Sequence, residues 1–398
     1  MHWLSPESRS RALFERARSV QPGSGTGVTS PRSPYPPYLS SARGAWLYDV
    51  DGHRFLDLAN NDGALLHGHA HPLVKAALAE QLERGTCTSL PGEPELALAE
   101  LLCGRVPSFE RVRFTPDAHR AATWALRAAR AATGRERVAW IGPLPHPDAE
   151  TAAGDEALLL SDQDPDAALE QVAAHGSSLA AVIIDPVPRS RGFQSPASGR
   201  LQQIEEVARH AGALLVFDER DSFRFGFAGA QGRFAGTPEL TILGAHVGGG
   251  LPAAAVAGIE QVMETLAAEP GIGPVPVGWS APTNPAAMAA GHAAFSLLDL
   301  AAFDHLDRMG EKVRVRLREL ATARDAPIRV GGIGSVFTLR ARAGTPGPDR
   351  LVDLQIALLD RGVVLARDAS GFLSSVFGEK ELAFLADAWD GALAAVFG

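Results

Sequence analysis

The side chains best suited to move protons or to answer a charge fall where short apolar runs end. Asp218 closes the run 213–218, residues 115–120 with Asp117 and His119 follow another, and Pro145-His146, Asp185-Pro186 and Ala245-His246 follow three more. Imidazole is the side chain best matched to proton transfer near neutral pH, so His146 and His119 are candidate acid/base groups. Asp218 is placed to meet a cation, while Arg220 and Arg224 could pair with Asp221 or Asp117 or bind an acidic substrate. His67, His69 and His71 alternate along HGHAHP in a pattern that can be mistaken for a metal site. Gly248 to Gly250 only superficially resembles a phosphate loop, and the Gly23-x-Gly25 pattern follows no strand. The two cysteines, Cys87 and Cys103, have no ligand-like spacing and imply neither a disulfide framework nor a zinc site. Of 37 basic residues only Lys75, Lys312 and Lys380 are lysines, which leaves few candidates for a Schiff base.

The elements that must position these groups are legible as a pattern. Residues 111–115, 137–141, 181–185, 213–218 and 240–245 are short and nearly all apolar, with helical stretches such as 164–175 and 201–210 between them. Such strands alternating with helices predict a mostly parallel sheet buried on both faces, with ligands beyond its carboxyl edge. Upstream, AWLYDVDGHRFLDL is broken by Asp51-Gly52, a hairpin signal. Residues 21–41 form a Pro-, Gly- and Ser-rich arm. The tail opens with a long helix, then the strand-like GSVFTLRAR, the run GVVLAR and another helix, which reads as a smaller α+β subdomain.

The formal net charge of -9 argues against a general nucleic-acid or anionic-membrane partner, since either needs a surplus of Lys and Arg. No stretch approaches the ~20 continuous apolar residues of a membrane span, and the N-terminus reads as a short amphipathic helix and not a signal peptide. A cytoplasmic protein with no bound metal is the expectation.

Seven segments together resemble the class III aminotransferases, in particular the glutamate-1-semialdehyde 2,1-aminomutases: GAWLYDVDGHRFLDL (44–58), HGHAHPLVKAAL (67–78), DPVPRSRGFQSP (185–196), LLVFDE (214–219), TPELTILGAHVGGGLP (237–252), NPAAMAAG (284–291) and GSVFTLRA (334–341). The resemblance runs from about Pro22 to the C-terminus. It implies an α/β protein of the PLP-dependent transferase fold type I. A large domain (51–285) would carry a mostly parallel seven-stranded sheet, and a smaller α+β domain (286–398) would be joined by the N-terminal helix and arm (1–50). It also implies a homodimer with active sites at the subunit interface, and it makes His69 and His71 part of a structural turn.

The same resemblance sets four requirements for holding pyridoxal phosphate (PLP). The lysine of the "LGK" segment is Ala245 here, and a methyl group can form no imine. The small-residue cup for the phosphate reads Asp117-Ala118-His119, and a carboxylate at that helix start repels a dianion. The Tyr-His-Gly segment that stacks a ring on the pyridine reads Pro145-His146-Pro147. Only the aspartate that faces the pyridine nitrogen is kept, as Asp218. Ser280 matches a phosphate-reaching residue of the neighbouring subunit, Arg32 lies near a substrate-carboxylate arginine, and Asp62 falls on the same cavity as Asp117. The expectation is therefore an enzyme with no cofactor that performs acid/base chemistry on a small cationic amine or imine, such as a cyclisation, isomerisation or dehydration in specialised metabolism. Asp218 and Asp117 would hold the cation and His146 or His119 would move protons. Two alternatives stand beside it: a lysine-less enzyme that holds PLP or pyridoxamine phosphate (PMP) non-covalently, with His246 in the lysine's place, and a non-catalytic partner subunit.

Overall fold

The computed structural model describes residues 5, 7–22, 35–86, 90–142, 157–267, 284–342 and 349–398. These divide into two units, Met1–Pro72 with Ala301–Gly398, and Leu73–Leu300.

In the first unit Ser8 caps α1 (Arg9–Arg18) by accepting from the Arg11 N–H. The antiparallel strands β1 (Leu39–Arg43), β2 (Trp46–Asp49) and β3 (Arg54–Asp57) follow, and the β2–β3 connection is the hairpin expected at Asp51-Gly52, with Gly52 at φ 89°. From the other end of the chain come α10 (Leu300–Ala323), β11 (Ile328–Gly331), β12 (Val336–Ala341), α11 (Asp349–Asp360), β13 (Val363–Val364), β14 (Ser370–Phe372) and α12 (Glu379–Phe397). β13 adds in parallel to β3, and β11, β12 and β14 form a separate antiparallel sheet. The run GVVLAR yields only a two-residue strand, because the chain turns back at once with the Ala366 N–H donating to Ser370 O. Trp389 locks α12 to α10: it is fully buried and its Nε1 donates to Leu317 O at 3.1 Å.

The second unit holds the expected α/β sheet. Its helices are α2 (Pro72–Arg84), α3 (Glu93–Arg105), α4 (Ala118–Thr133), α5 (Pro165–His175), α6 (Arg200–Ala211), α7 (Gly229–Phe234), α8 (Glu260–Met263) and α9 (Pro285–Ser296). Its strands are β4 (Arg111–Thr115), β5 (Arg137–Ile141), β6 (Leu158–Leu160), β7 (Leu179–Ile184), β8 (Leu214–Glu219), β9 (Leu240–Leu243) and β10 (Ala254–Gly258), in the order β4-β10-β9-β8-β7-β5-β6. All pairings are parallel except the two made by β10. Two successive antiparallel pairings leave β4 parallel to β9, so β4, β5, β7, β8 and β9 all end at one edge.

Side-chain alternation assigns the two faces. Val138, Trp140, Ala181, Ile183, Val216, Leu240 and Ile242 pack under α4, whose buried stripe is mostly alanine. Ala139, Ile141, Val182, Leu215 and Phe217 face α5 and α6, and Leu243, Ala255 and Ala257 face α3 and α9. A sheet covered on both sides needs no polar residue inside, which is why only its edges carry chemistry.

The turn after β9 is fixed by a close approach. Gly249 has φ 57°, and a Cβ there would lie 2.3 Å from Ala290 O in α9. Gly249→Ala combines left-handed strain with a backbone collision, and it is expected to cost roughly 3 kcal/mol. Urea denaturation reads this directly, and a loss below about 1 kcal/mol would show that α9 yields easily.

Candidate functional site

Four chain segments meet at the carboxyl edge of the large sheet: the starts of α4 and of the connections after β7, β8 and β9. Their centre is Asp218. The alternation that puts Val216 under α4 puts Asp218 on the same face, 5% exposed. Both of its oxygens are taken by one guanidinium, with Arg220 Nε donating to Oδ1 and Nη2 to Oδ2, each at 2.6 Å. This is the fork-on-fork geometry in which an arginine holds a carboxylate most strongly. Burial would strip Arg220 of its proton, but Asp218, helped by Asp221 and Asp185, outweighs it and raises the guanidinium above its usual value. Removing one partner of such a pair typically costs about 3–5 kcal/mol because the other charge stays buried alone.

The start of α4 is likewise satisfied from within. Asp117 is its N-cap, and Oδ1 accepts from the Arg120 N–H at 2.8 Å, while the Thr115 hydroxyl donates to Asp117 O at 2.7 Å. The exposed His119 lies in the first turn of this helix. A carboxylate answers both the free N–H groups and the positive end of the helix dipole, which are the two features an anion would use there.

Asp185, one residue beyond β7, is a group that motif reading did not select. Burial pushes its carboxyl well above the ordinary range, neighbouring Asp218 adds to the shift, and the Val187 N–H donating to Oδ1 at 2.9 Å offsets it only in part. It also lines a cavity of about 140 Å³ with Ile184, Arg191, Leu201 and Ile204. A carboxyl raised in this way is a candidate acid. Next to Asp218, the fully buried Glu219 accepts from the Ala230 N–H at 2.6 Å and from the Gln231 N–H at 3.1 Å, and its carboxyl is pushed by burial up to about 7. Its partners make it an anchor for α7. Arg224 is also buried, which lowers it to about 9 despite Asp221 nearby.

Ala245 begins the short 3₁₀ turn that follows β9, and no side chain beyond a methyl projects from it. His246 turns into the core on the α3–α9 side. Its ring lies parallel to Phe223 at 5.2 Å and edge-on to Phe295 at 6.3 Å, and its Nε2 is buried with no hydrogen-bond partner. Burial, with Arg224 adding, lowers its imidazole to about 3, so the ring is neutral. This placement gives His246 the surroundings of a core aromatic.

Arg220 thus pairs with Asp218, a partner beyond the Asp221 and Asp117 considered from sequence, and Asp221 adds to its electrostatic surroundings. Asp62 belongs to the other unit, where Asn60, Asn61 and Asp62 all take left-handed φ of 50–56° before Gly63. That turn is held by Asp57, whose Oδ1 accepts from the Ala59 and Asn60 N–H groups and whose Oδ2 bonds His69 Nε2 at 2.7 Å. His146, Arg32 and Ser280 lie outside the described residues. Among the described residues, no group of three or more His, Cys, Asp or Glu is arranged to hold a metal. No single described helix is long and apolar enough to cross a membrane.

Three measurements test these assignments. Asp117→Ala should destabilise the protein by about 1 kcal/mol, while Asp117→Ser should cost only a few tenths, as expected of a cap. For His246 the sign follows from a folded value of about 3 against about 6.5 in the unfolded chain: its contribution is complete above pH 6.5 and is lost as pH falls towards 3, at up to ~1.4 kcal/mol per unit. His246→Phe should therefore flatten the loss of stability between pH 6.5 and 4.5, and parallel losses in the two proteins would show that the imidazole is not held neutral. Infrared difference spectra of wild type minus Asp185→Asn at pH 7 should contain a protonated carboxyl band, and an ionised carboxylate band in its place would remove Asp185 as an acid.

Comparison with known proteins agrees with this architecture. The family model "Aminotransferase class-III" matches residues 29–141 and 141–369. The glutamate-1-semialdehyde 2,1-aminomutase of Roseiflexus castenholzii is 35% identical over 397 residues, covering 90% of each chain, and that of Thermomicrobium roseum is 36% identical over 360 residues, covering 83% of this chain and 82% of its own. An omega-transaminase structure from Sphaerobacter thermophilus superposes with a TM-score of 0.91 over 100% of both chains at 34% identity. A transaminase with PLP bound superposes with a TM-score of 0.91 at 31% identity, covering 98% of this chain and 97% of its own. With the fold type I architecture and more than half of its length matched, this chain belongs to the class III aminotransferase family.

Proposed function

We propose that this chain is a class III aminotransferase-fold enzyme that has given up Schiff-base chemistry and works by acid/base catalysis on a small amine or imine. The observation that carries the reading is the position of its lysines. Lys75, Lys312 and Lys380 are all exposed on helices, α2, α10 and α12, and Ala245 follows β9 at the position where the family resemblance implies the lysine.

The residues at that edge do not fit PLP. The carboxylate that would face the pyridine nitrogen has both oxygens engaged by Arg220, and the helix start that would take the phosphate is capped by Asp117. A relative carries PLP, but its site chemistry does not transfer to a chain with these substitutions. Asp185, whose carboxyl is raised by burial and by Asp218, is the candidate proton donor at this edge. It would give that proton to an imine nitrogen or a departing hydroxyl, and the carboxylate left behind would pair with the cation so formed. His119 and His146 are the candidate acceptors for the opposite transfer, and Asp117 and Asp218 keep the edge acidic. Cyclisation, isomerisation and dehydration all fit this pattern.

The test is a spectrum and a native mass of the untreated protein, followed by PLP addition and borohydride reduction. The expected result is a colourless homodimer at twice 41.9 kDa with no cofactor mass and no reduced adduct at any lysine. One equivalent of PLP or PMP in the purified protein, or a stoichiometric borohydride-fixed adduct, overturns the reading.

A further inference from the structure

We infer that Arg220 is a tethered cation that takes the place of the cofactor's ring cation on Asp218, and that it bars the ring from this site even when a lysine is supplied. The inference rests on the reading of Ala245 as the former lysine position, and it adds that the ring end of the site is closed independently of that loss.

The geometry supports a substitute and not a passing contact. A ring N–H bonds a carboxylate through one oxygen, whereas Arg220 holds both Asp218 oxygens at 2.6 Å. The two side chains are 13% and 6% exposed, so no bulk water competes for the pair. They stand two residues apart at the end of β8, so the contact forms within one segment and needs no closure of distant parts. The main chain cannot retreat either. A Cβ on Gly244 would lie 2.5 Å from Arg220 O, which places the backbone at 220 directly against the residue preceding Ala245. Asp221 adds further negative charge around the same guanidinium. The sequence departs here from the small and apolar residues that its family resemblance implies after FDE, so one substitution both neutralises the aspartate and fills the approach to it.

The experiment restores the other two ends of the site and varies Arg220 alone. Full-length D117S/A245K and D117S/A245K/R220V are titrated with PLP, followed by absorbance and by borohydride-fixed mass at position 245. Loss of Arg220 should tighten PLP binding at least tenfold. Equal affinity in the two proteins, whether tight in both or undetectable in both, overturns the inference. Because an unpaired Asp218 could prevent folding, a second measurement uses the wild-type chain. The Arg220 Nε–H resonance, assigned by its absence in R220K, should stay in place as PMP is added to several equivalents, and a stoichiometric shift overturns the inference without any variant. Failure of the functional reading looks different, since it appears as cofactor already present in the purified wild-type protein.

Discussion

A carboxylate at the end of a buried strand has to be answered by a positive charge, and here the answer lies two residues further along the same chain. Asp218 sits under α4, at the edge where the parallel strands stop, and the Arg220 fork closes on both of its oxygens. In water such a pair contributes little, but at 6% and 13% exposure the two charges depend on each other. The neighbouring groups follow from this choice. Asp218 raises the Arg220 guanidinium against the cost of burial, and burial with Asp218 beside it raises the Asp185 carboxyl.

The scaffold leaves little room for a different answer. The ends of β8 and β9 are held together by the contact of Gly244 with the Arg220 backbone, and the turn after β9 is pinned to α9 by Gly249 and Ala290. Residues at this edge therefore change chemistry by exchanging side chains, while the main chain stays where the sheet puts it. That is consistent with a TM-score of 0.91 to two transaminase structures at only 31–34% identity. Fold similarity of this degree constrains where a site lies and says little about what is in it.

The sheet was legible from sequence because its strands are apolar on both faces. The runs at 111–115, 137–141, 181–185, 213–218 and 240–245 all became strands, within a residue or two. β10 was not found because AAVAG is as compatible with a helix as with a strand, and β6 because three leucines are too few to show a period. The edge residues were legible as positions but not as pairs. That Arg220 would reach back to both oxygens of Asp218 depends on how the chain turns after residue 219, and composition carries no trace of that. Asp185 was marked by its place after an apolar run. Its raised carboxyl depends on Asp218 across the sheet, which becomes visible only when β7 and β8 are paired. His246 was likewise ambiguous until its ring was seen against Phe223.

The charged side chains at this edge are satisfied by one another and by the main chain. A site released from its ligand and left to drift accumulates groups without partners, or fills with apolar side chains. Asp117 instead caps the helix that begins beside it, and Arg220 chelates the aspartate that a ring nitrogen would otherwise engage. Both arrangements answer a local electrostatic need: a negative group at a helix start, and a positive group on a strand-end carboxylate. Ala245 adds no charge and no proton carrier to this edge, and among its described groups Asp185 and Glu219 are the carboxyls that their surroundings raise.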